Sequence, residues 1–418
     1  MTYARIPGNI SIPSGSTVGV AFTDSPQRDA FGRLRVASPT NIFDTQLQYN
    51  EQPLLWSTLT ATTSDATFSH LPDESAVRLT VGTTDADSVI RQTRRYLRYQ
   101  PGKSQQISMT GVFGSSTSNV VKRLGYFDDE NGIFFEDDGV NLNVVERTNT
   151  SGSTAEDRVA LANWNLDVFD GQGASAASVD FARNNIYTID LEWLSIGRVR
   201  TGLTVDGETV YGHEFLHNGL DMPYMTTANL PLRYEISNVG APSSADSMKQ
   251  ICVMVVSEGG RDQERTINHG VSGPTAAVTT RRPILTIRPK STFGTSSITN
   301  HGHVLDIITD VIASSNNALV EVIFGGSATS ATWQDRGDNS LVEYDSNSTE
   351  ISGGEVVATF FVVSGQANRS TTGSKDLDER LLLAYDSLKD VADEMSIVVT
   401  SLNATTNVLG ALNWGELY

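Results

Sequence analysis

The segment His213-Glu-Phe-Leu-His217 spells H-E-x-x-H. On a helix, that spacing sets two imidazoles on one face to bind zinc while the glutamate activates the metal's water. Glu235, 18 residues beyond His217, would be the third ligand. The flanks argue against this arrangement. Tyr211-Gly212 precede the segment and Asn218-Gly219 follow it, which leaves little room for a helix. On a strand the two histidines share a face but stand about 13 Å apart, too far for one zinc. The expectation is a strand end, with His213 and His217 in packing or interface hydrogen bonds and no zinc peptidase.

Other residue sets invite the same question. His301-Gly-His303 would face one side of a strand and, with a carboxylate, form a metal site; the competing reading is a polar loop or subunit interface. Asp128, Asp129, Glu130 and Asn131, then Glu136, Asp137 and Asp138, offer the oxygens that calcium prefers. They lack the ligand spacing of an EF-hand, and solvated hairpin turns account for them without a metal. The cofactor expectation is therefore none, with Ca2+ as the alternative. A glycosidase needs two facing carboxylates, which one sequence cannot pair. Trp164, Tyr187 and Trp193 are candidate sugar platforms, although aromatic residues at strand positions are commonly core. No Ser-His-Asp signature, phosphate-binding loop or dinucleotide fingerprint appears. The single cysteine, Cys252, sits in the apolar run Gln250-Ile-Cys-Val-Met-Val-Val, so no intrachain disulfide forms and a buried strand residue is expected.

The elements that must position these residues read as strands. The chain has 418 residues, enough for two or three cores, with abundant Gly and little helical periodicity. Ala76-Val-Arg-Leu-Thr-Val, Gln106-Ile-Ser-Met-Thr-Gly-Val and Asn184-Asn-Ile-Tyr-Thr-Ile-Asp-Leu alternate at period two. Asn131-Gly132, Asp138-Gly139 and Asp206-Gly207 suit tight hairpin turns, where central residues take φ > 0. The net charge of −19 repels phosphate backbones, so neither nucleic acid nor an anionic membrane is an expected partner. No charged-then-apolar leader and no apolar run of spanning length are visible, and assembly in a cytoplasm is expected.

Residues 1–56 read as an extended N-terminal arm. Its Phe31, Leu34, Arg35, Val36, Ile42 and Phe43 are candidate anchors for pockets on a neighbouring subunit; an irregular strand packed on its own domain is the equal alternative. Residues 57–265 form a jelly-roll or lectin-like antiparallel β-sandwich. A polar linker spans 266–282, and 283–418 make a second, smaller β-sandwich or barrel. Residues 376–388 carry a short helical pattern, and the aromatics of Ala411-Leu-Asn-Trp-Gly-Glu-Leu-Tyr pin the C-terminus. The fold class is all-β.

Several of these segments resemble a widespread group of virion structural proteins of tailed bacteriophages. Asp29-Ala-Phe-Gly-Arg-Leu-Arg-Val-Ala-Ser-Pro and Ile42-Phe-Asp-Thr-Gln resemble that group's N-terminal segment. Gly125-Tyr-Phe-Asp-Asp-Glu-Asn-Gly-Ile-Phe-Phe-Glu, Asn163-Trp-Asn-Leu-Asp, Leu191-Glu-Trp-Leu and Leu230-Pro-Leu-Arg-Tyr-Glu-Ile resemble its central domain, and Ala411-Leu-Asn-Trp-Gly-Glu-Leu-Tyr its C-terminus. The resemblance implies a non-enzymatic particle component, located in the virion and partnered by copies of itself, as a trimer, and by other virion proteins. The first reading is an outward-facing tail or neck appendage or connector anchored by the arm. A capsid decoration or vertex protein is one alternative. An adhesin for host-surface glycan, with Trp164, Tyr187 and the Asp128–Glu136 region near the sugar, is another.

Overall fold

The computed structural model describes residues 28–36, 38–61, 65–259, 266–364, 367–371 and 383–418. They are all-β, with two short 3-10 turns and many antiparallel strands. The chain divides into two compact units. The first takes the described residues within 1–51, 60–91 and 97–261; the second takes 52–59, 92–96 and those within 262–418. The first strands are β1 (Thr40–Thr45), β2 (Trp56–Thr60), β3 (Thr67–Leu71), β4 (Ala76–Val81) and β5 (Ser88–Thr93). Then come β6 (Gln105–Val112), β7 (Val120–Phe127), β8 (Gly132–Asp137), β9 (Leu142–Thr148) and β10 (Ala155–Ala160). They are followed by β11 (Asn184–Leu191), β12 (Val199–Val205), β13 (Glu208–Phe215), β14 (Leu232–Asn238) and β15 (Asp246–Ser257).

Two sheets result, ordered β13-β12-β11-β6-β15-β4-β3 and β10-β9-β8-β7-β14-β5-β2. Alternation explains them. In β6, Ile107 and Met109 are buried while Ser108 and Thr110 are half-buried, so one face meets the core and the other water. The inner faces meet through Tyr187 on β11, whose ring lies 5.0 Å from Phe135 on β8, and Tyr234 on β14, whose hydroxyl donates to Thr110 O at 2.9 Å. This is the expected sandwich.

Turn chemistry follows the sequence with one shift. Asp206 (φ 51°) and Gly207 (φ 85°) form the two-residue β12–β13 turn. The β7–β8 turn is Asp128 to Asn131, closed by Asp128 N donating to Asn131 O at 2.9 Å, and Gly132 opens the next strand instead of completing the turn. Gly132 has φ 142°, and an added Cβ would lie 2.2 Å from Phe127 Cβ, so no other residue fits.

The arm expectation is corrected for residues 28–51. β1 pairs with the second half of β15, Phe43 facing Val255, because β4 covers only Asp246–Gln250 and leaves that half open. Phe43 is buried and Ile42 half-buried on their own unit, so neither is free for a neighbour's pocket. The anchor expectation for residues 1–27 lies outside the described residues.

The second unit adds β16 (Ile267–Ser272), β17 (Ala276–Val278), β18 (Arg282–Pro289), β19 (Thr292–Phe293), β20 (Ile298–Thr299) and β21 (His303–Ala313). β22 (Ala318–Phe324), β23 (Ser327–Ala328), β24 (Gln334–Asp335), β25 (Val342–Asp345), β26 (Ile351–Ser352) and β27 (Glu355–Val362) follow. The last are β28 (Ala367–Thr371), β29 (Tyr385–Asp386), β30 (Val391–Ala392), β31 (Met395–Ser401) and β32 (Thr406–Leu417). Sheets β16-β32-β21-β28 and β24-β25-β18-β31-β22-β27 enclose a core of Val and Ile with Trp414. The linker expected over 266–282 is corrected here. β16 and β17 both pair with β32, since the 12-residue length of β32 offers backbone groups along two successive stretches. The helix expected over 376–388 is corrected at its end, where Tyr385–Asp386 pairs as a strand with Val391–Ala392; residues 376–382 lie outside the described ones. Trp414 is buried, with Nε1 donating to Glu416 at 2.7 Å, while Tyr418 is half-exposed.

Candidate functional site

The carboxylates singled out in the sequence meet on the outer face of the sheet containing β7 to β10 and β14. Residues 124, 126 and 135 point toward the sandwich core, so alternation turns Arg123, Phe127, Phe134, Glu136, Arg147, Arg233 and Glu235 to the opposite face. Phe127, Phe134 and Val145 form a separate buried cluster there. Guanidinium groups cover it: Arg147 lies 4.9 Å from the Phe134 centroid, Arg233 5.4 Å from Phe127, and Arg123 5.8 Å from Phe134.

Each guanidinium is bonded to carboxylates. Glu136, 1% exposed, accepts from Arg123 Nε at 2.7 Å and Arg158 Nε at 2.6 Å. Glu235 accepts from Arg123 at 2.6 Å and Arg233 at 3.4 Å; Glu156 accepts from Arg147 at 2.7 Å and Arg158 at 2.6 Å. Asp129 accepts from Arg233 at 2.5 Å. Asp128 turns its Oδ1 to the backbone N–H groups of Glu130 (2.9 Å) and Asn131 (2.8 Å), while Glu130 is exposed. Burial opposes the charge on Arg123, but Glu235 and Glu136 outweigh it and raise its pKa. Burial likewise pushes Glu156 up, yet the bonds from Arg147 and the charge of Arg158 bring it below the ordinary carboxylate range. Of the candidate calcium oxygens, those of Asp129 and Glu136 are thus bonded to guanidinium groups, and those of Asp128 and Asp137 accept from backbone N–H groups. Glu136 and Glu235 bracket one guanidinium as its counter-ions.

His213-Glu-Phe-Leu-His217 runs off the end of β13. His213 Nδ1 accepts from Asn165 N at 3.3 Å, and burial lowers its pKa. His217 is stacked on Tyr224 (3.9 Å, 8°), bonded through Nδ1 to Gly197 O, and paired through Nε2 with Glu146 at 2.7 Å. Burial lowers His217, but Glu146 outweighs that and its pKa is raised; burial raises Glu146, with His217 offsetting part. Glu214 pairs with Arg198 at 3.5 Å. The two histidines therefore serve different neighbours. In the second unit His301 stacks on Tyr96 (3.5 Å, 8°), and His303 Nε2 bonds Tyr96 O at 2.6 Å. Among the described residues, no cluster of three or more His, Cys, Asp or Glu is disposed to hold a metal.

Trp164 and Tyr187 are not sugar platforms. They are 5% and 1% exposed, and both rings pack on Phe135 because their positions face the sandwich interior. Cys252 lies at a bulge of β15 and is half-buried, and burial raises its thiol pKa.

Arg35, expected as an assembly anchor, is an internal fastener. Its guanidinium donates to Asp190 at 2.7 Å, to Gln106 at 2.7 Å and to Glu258. Asp190 also accepts from Arg200, from Tyr211 at 3.0 Å and from Ser104 at 2.7 Å. Burial opposes the charge of Arg35, and Asp190, Tyr211 and Glu258 more than restore it. Phe31 is half-buried under Arg33, whereas Leu34 and Val36 are exposed, Val36 at 86%.

Two features had no counterpart in the sequence reading. An open groove of about 480 Å³ runs between residues 178–186 and Thr110, Thr204 and Asp206, lined by Asn184 beside Ile186, while the Asn185 amide donates to Asp180 O at 2.9 Å and Arg183 O at 3.1 Å. Apolar side chains (Leu194, Ile196, Leu216, Leu220, Met222) are exposed on two loops tied by Tyr224 N donating to Ser195 O at 2.9 Å. The guanidinium lattice did leave a signal: Arg and Glu at alternate strand positions, as in Arg233-Tyr-Glu235 and Glu156-Asp-Arg158.

No family model matches the chain, and no curated protein does. Solved structures give weak likenesses over about half of the chain. A glycoside hydrolase family 16 endo-glucanase from Bacteroides ovatus aligns at 10% identity and TM-score 0.34, over 51% of this chain and 99% of that one. A legume lectin-like domain from Entamoeba histolytica aligns at 11% and 0.32, over 52% and 98%. The exoplasmic/lumenal domain of VIP36, in a Ca2+/Man3GlcNAc-bound form, aligns at 8% and 0.31, over 54% and 92%. Similarity at this level says nothing about activity.

Proposed function

We propose that this chain is a non-enzymatic structural component of a tailed-bacteriophage particle: a homo-oligomeric, outward-facing tail or neck appendage or connector anchored through residues preceding Arg28. The observation that carries the non-enzymatic part is the guanidinium lattice. It commits Glu136, Glu235, Glu156 and Asp129 to ion pairs over a buried aromatic floor, an arrangement that stiffens a sheet and gives these four carboxylates a structural task. The sequence resemblance to virion proteins, which spans nearly the whole chain, supplies the particle. The apolar loop residues 194, 196, 216, 220 and 222 favour a role in assembly, since exposed apolar patches mark interaction sites. Locating the chain in intact particles by cryo-electron microscopy tests this. Density at the tail or neck supports it, density on the capsid lattice makes the chain a decoration protein, and absence from the particle overturns it. Deleting residues 1–27 should leave both units folded and abolish incorporation; normal incorporation would refute the anchor.

A second reading, an adhesin for host-surface glycan, is favoured by the polar groove at Asn184, whose lining sets polar side chains beside Ile186. Binding of host polysaccharide that Asn184→Ala removes would support it.

A further inference from the structure

Lys122 on β7 is 0% exposed, a rare place for a lysine and one that demands partners. Its Nζ donates to Phe113 O at 2.8 Å and Ser115 O at 2.9 Å, which fixes the amine in position. Asp246 begins β15 in the other sheet of the sandwich, and its Oδ2 lies 2.7 Å from Nζ. That oxygen is buried and has no hydrogen-bond partner, so the amine stands against the carboxyl group without the alignment of a hydrogen bond. The other oxygen, Oδ1, accepts from Ser247 N at 2.6 Å. A second carboxyl group is close by. Asp137 on β8 is the cross-strand partner of Lys122, which sets their Cβ atoms about 4.5–5.5 Å apart on one face. Asp137 is 3% exposed, and burial raises its pKa although Gly139 N, Ser116 and Lys122 pull the other way.

An ordinary buried ion pair aims its N–H groups at the carboxylate. Here the amine is beside one oxygen, a backbone donor holds the other, and a buried acid adjoins. We propose that Lys122 Nζ and Asp246 Cγ condense to an isopeptide bond that staples the two sheets of the first unit, with Asp137 carrying the proton. A carboxyl C–O bond is about 1.2 Å long, so Cγ lies within about 4 Å of Nζ, close to the reacting distance of about 3–3.5 Å. One proton passes from Nζ to Oδ2, and the freed lone pair forms the N–C bond. The carbonyl pair moves to Oδ1, where Ser247 N–H meets the developing charge. Asp137 protonates Oδ2, the C–Oδ2 bond breaks, and water leaves as the carbonyl re-forms. The Asp137 carboxylate then takes a proton from Nζ and is restored. The ammonium and carboxylate together contain the atoms of one amide and one water, so no co-reactant is needed. The reaction occurs once within the chain and turns over no substrate. It does not rest on the particle reading.

The test is mass spectrometry of the full chain under denaturing conditions. The intact mass should be one water below that of the sequence, and proteolysis should release a branched peptide joining Lys122 to Asp246. Lys122→Arg keeps the cation but offers no such nucleophile, so it should show the full sequence mass and a lower melting temperature than the parent. Asp137→Asn leaves both reacting groups in place. It should fold, as judged by circular dichroism, and form the bond about a hundredfold more slowly, the share expected of positioned acid–base help. A parent chain at full sequence mass, with residues 122 and 246 in separate peptides, would overturn the inference and leave an ordinary ion pair. Loss of water with the branch at another site would also overturn it. Asp137→Asn that cross-links as fast as the parent would remove Asp137 from the reaction. The parent measurement decides the bond itself even if a variant fails to fold.

Discussion

Replacing Arg35 with alanine separates an internal fastener from an assembly anchor. In the structure Arg35 is 16% exposed and bonds Asp190, Gln106 and Glu258. Removing one partner of a buried ion pair costs about 3–5 kcal/mol. Asp190 keeps Arg200, Tyr211 and Ser104 after the change, and Glu258 is partly solvated, so the loss should fall to about 2–3 kcal/mol. Val36, the next residue, is 86% exposed, and Val36→Ala should lie within about 0.5 kcal/mol of the parent. The assay is urea unfolding of the isolated chain, followed by tryptophan fluorescence and by hydrogen exchange at β11 and β12. Guanidinium chloride is unsuitable because its ions screen the pairs under test. The Arg35→Ala midpoint should drop with little change in slope. An unchanged midpoint, with assembly lost instead, would refute the fastener and restore Arg35 to a subunit interface.

Two further outcomes follow from the same geometry. Glu146 and His217 both hold protons more tightly folded than unfolded, so the pair's stabilisation is present below the unfolded histidine value of about 6.5 and is lost as pH rises through the raised value of His217. Urea midpoints between about pH 6 and 9 should therefore fall more steeply for the parent than for His217→Gln. At pH 6 the variant should be less stable by about 2–4 kcal/mol, and parallel profiles would count against the pair. Trp164→Ala should destabilise the first unit by about 3–5 kcal/mol, read by thermal unfolding, and leave any glycan binding by the folded fraction unchanged, because the ring is core.

Much of the architecture is local and was legible. The alternation in β6, the Asp206-Gly207 turn and the apolar strands of both units follow from side-chain period and backbone preference within a few residues. The strand-end placement of His213-Glu-Phe-Leu-His217 came from its glycine flanks, and the structure puts it there. The misplaced features depend on partners distant in the chain. β16 and β17 look like a polar joint until β32 pairs with them, and β1 looks like a free arm until the open half of β15 receives it. Tyr187 and Trp164 read as candidate sugar platforms, with the core as the commoner place for strand aromatics, until the second sheet closes over them.

By itself, then, the sequence determined the all-β class, the strand periodicity and the acidic charge, since these depend on residue type and near neighbours. Only the tertiary structure decided which charges meet. Arg123 finds Glu235 across 112 positions and Arg35 finds Asp190 across 155, through antiparallel registers that bring distant strands side by side. Alternation tells which face a side chain takes, but not which strand lies beside it. Asp129, Glu136 and Glu235 therefore read as free oxygens in the chain and become counter-ions in the fold.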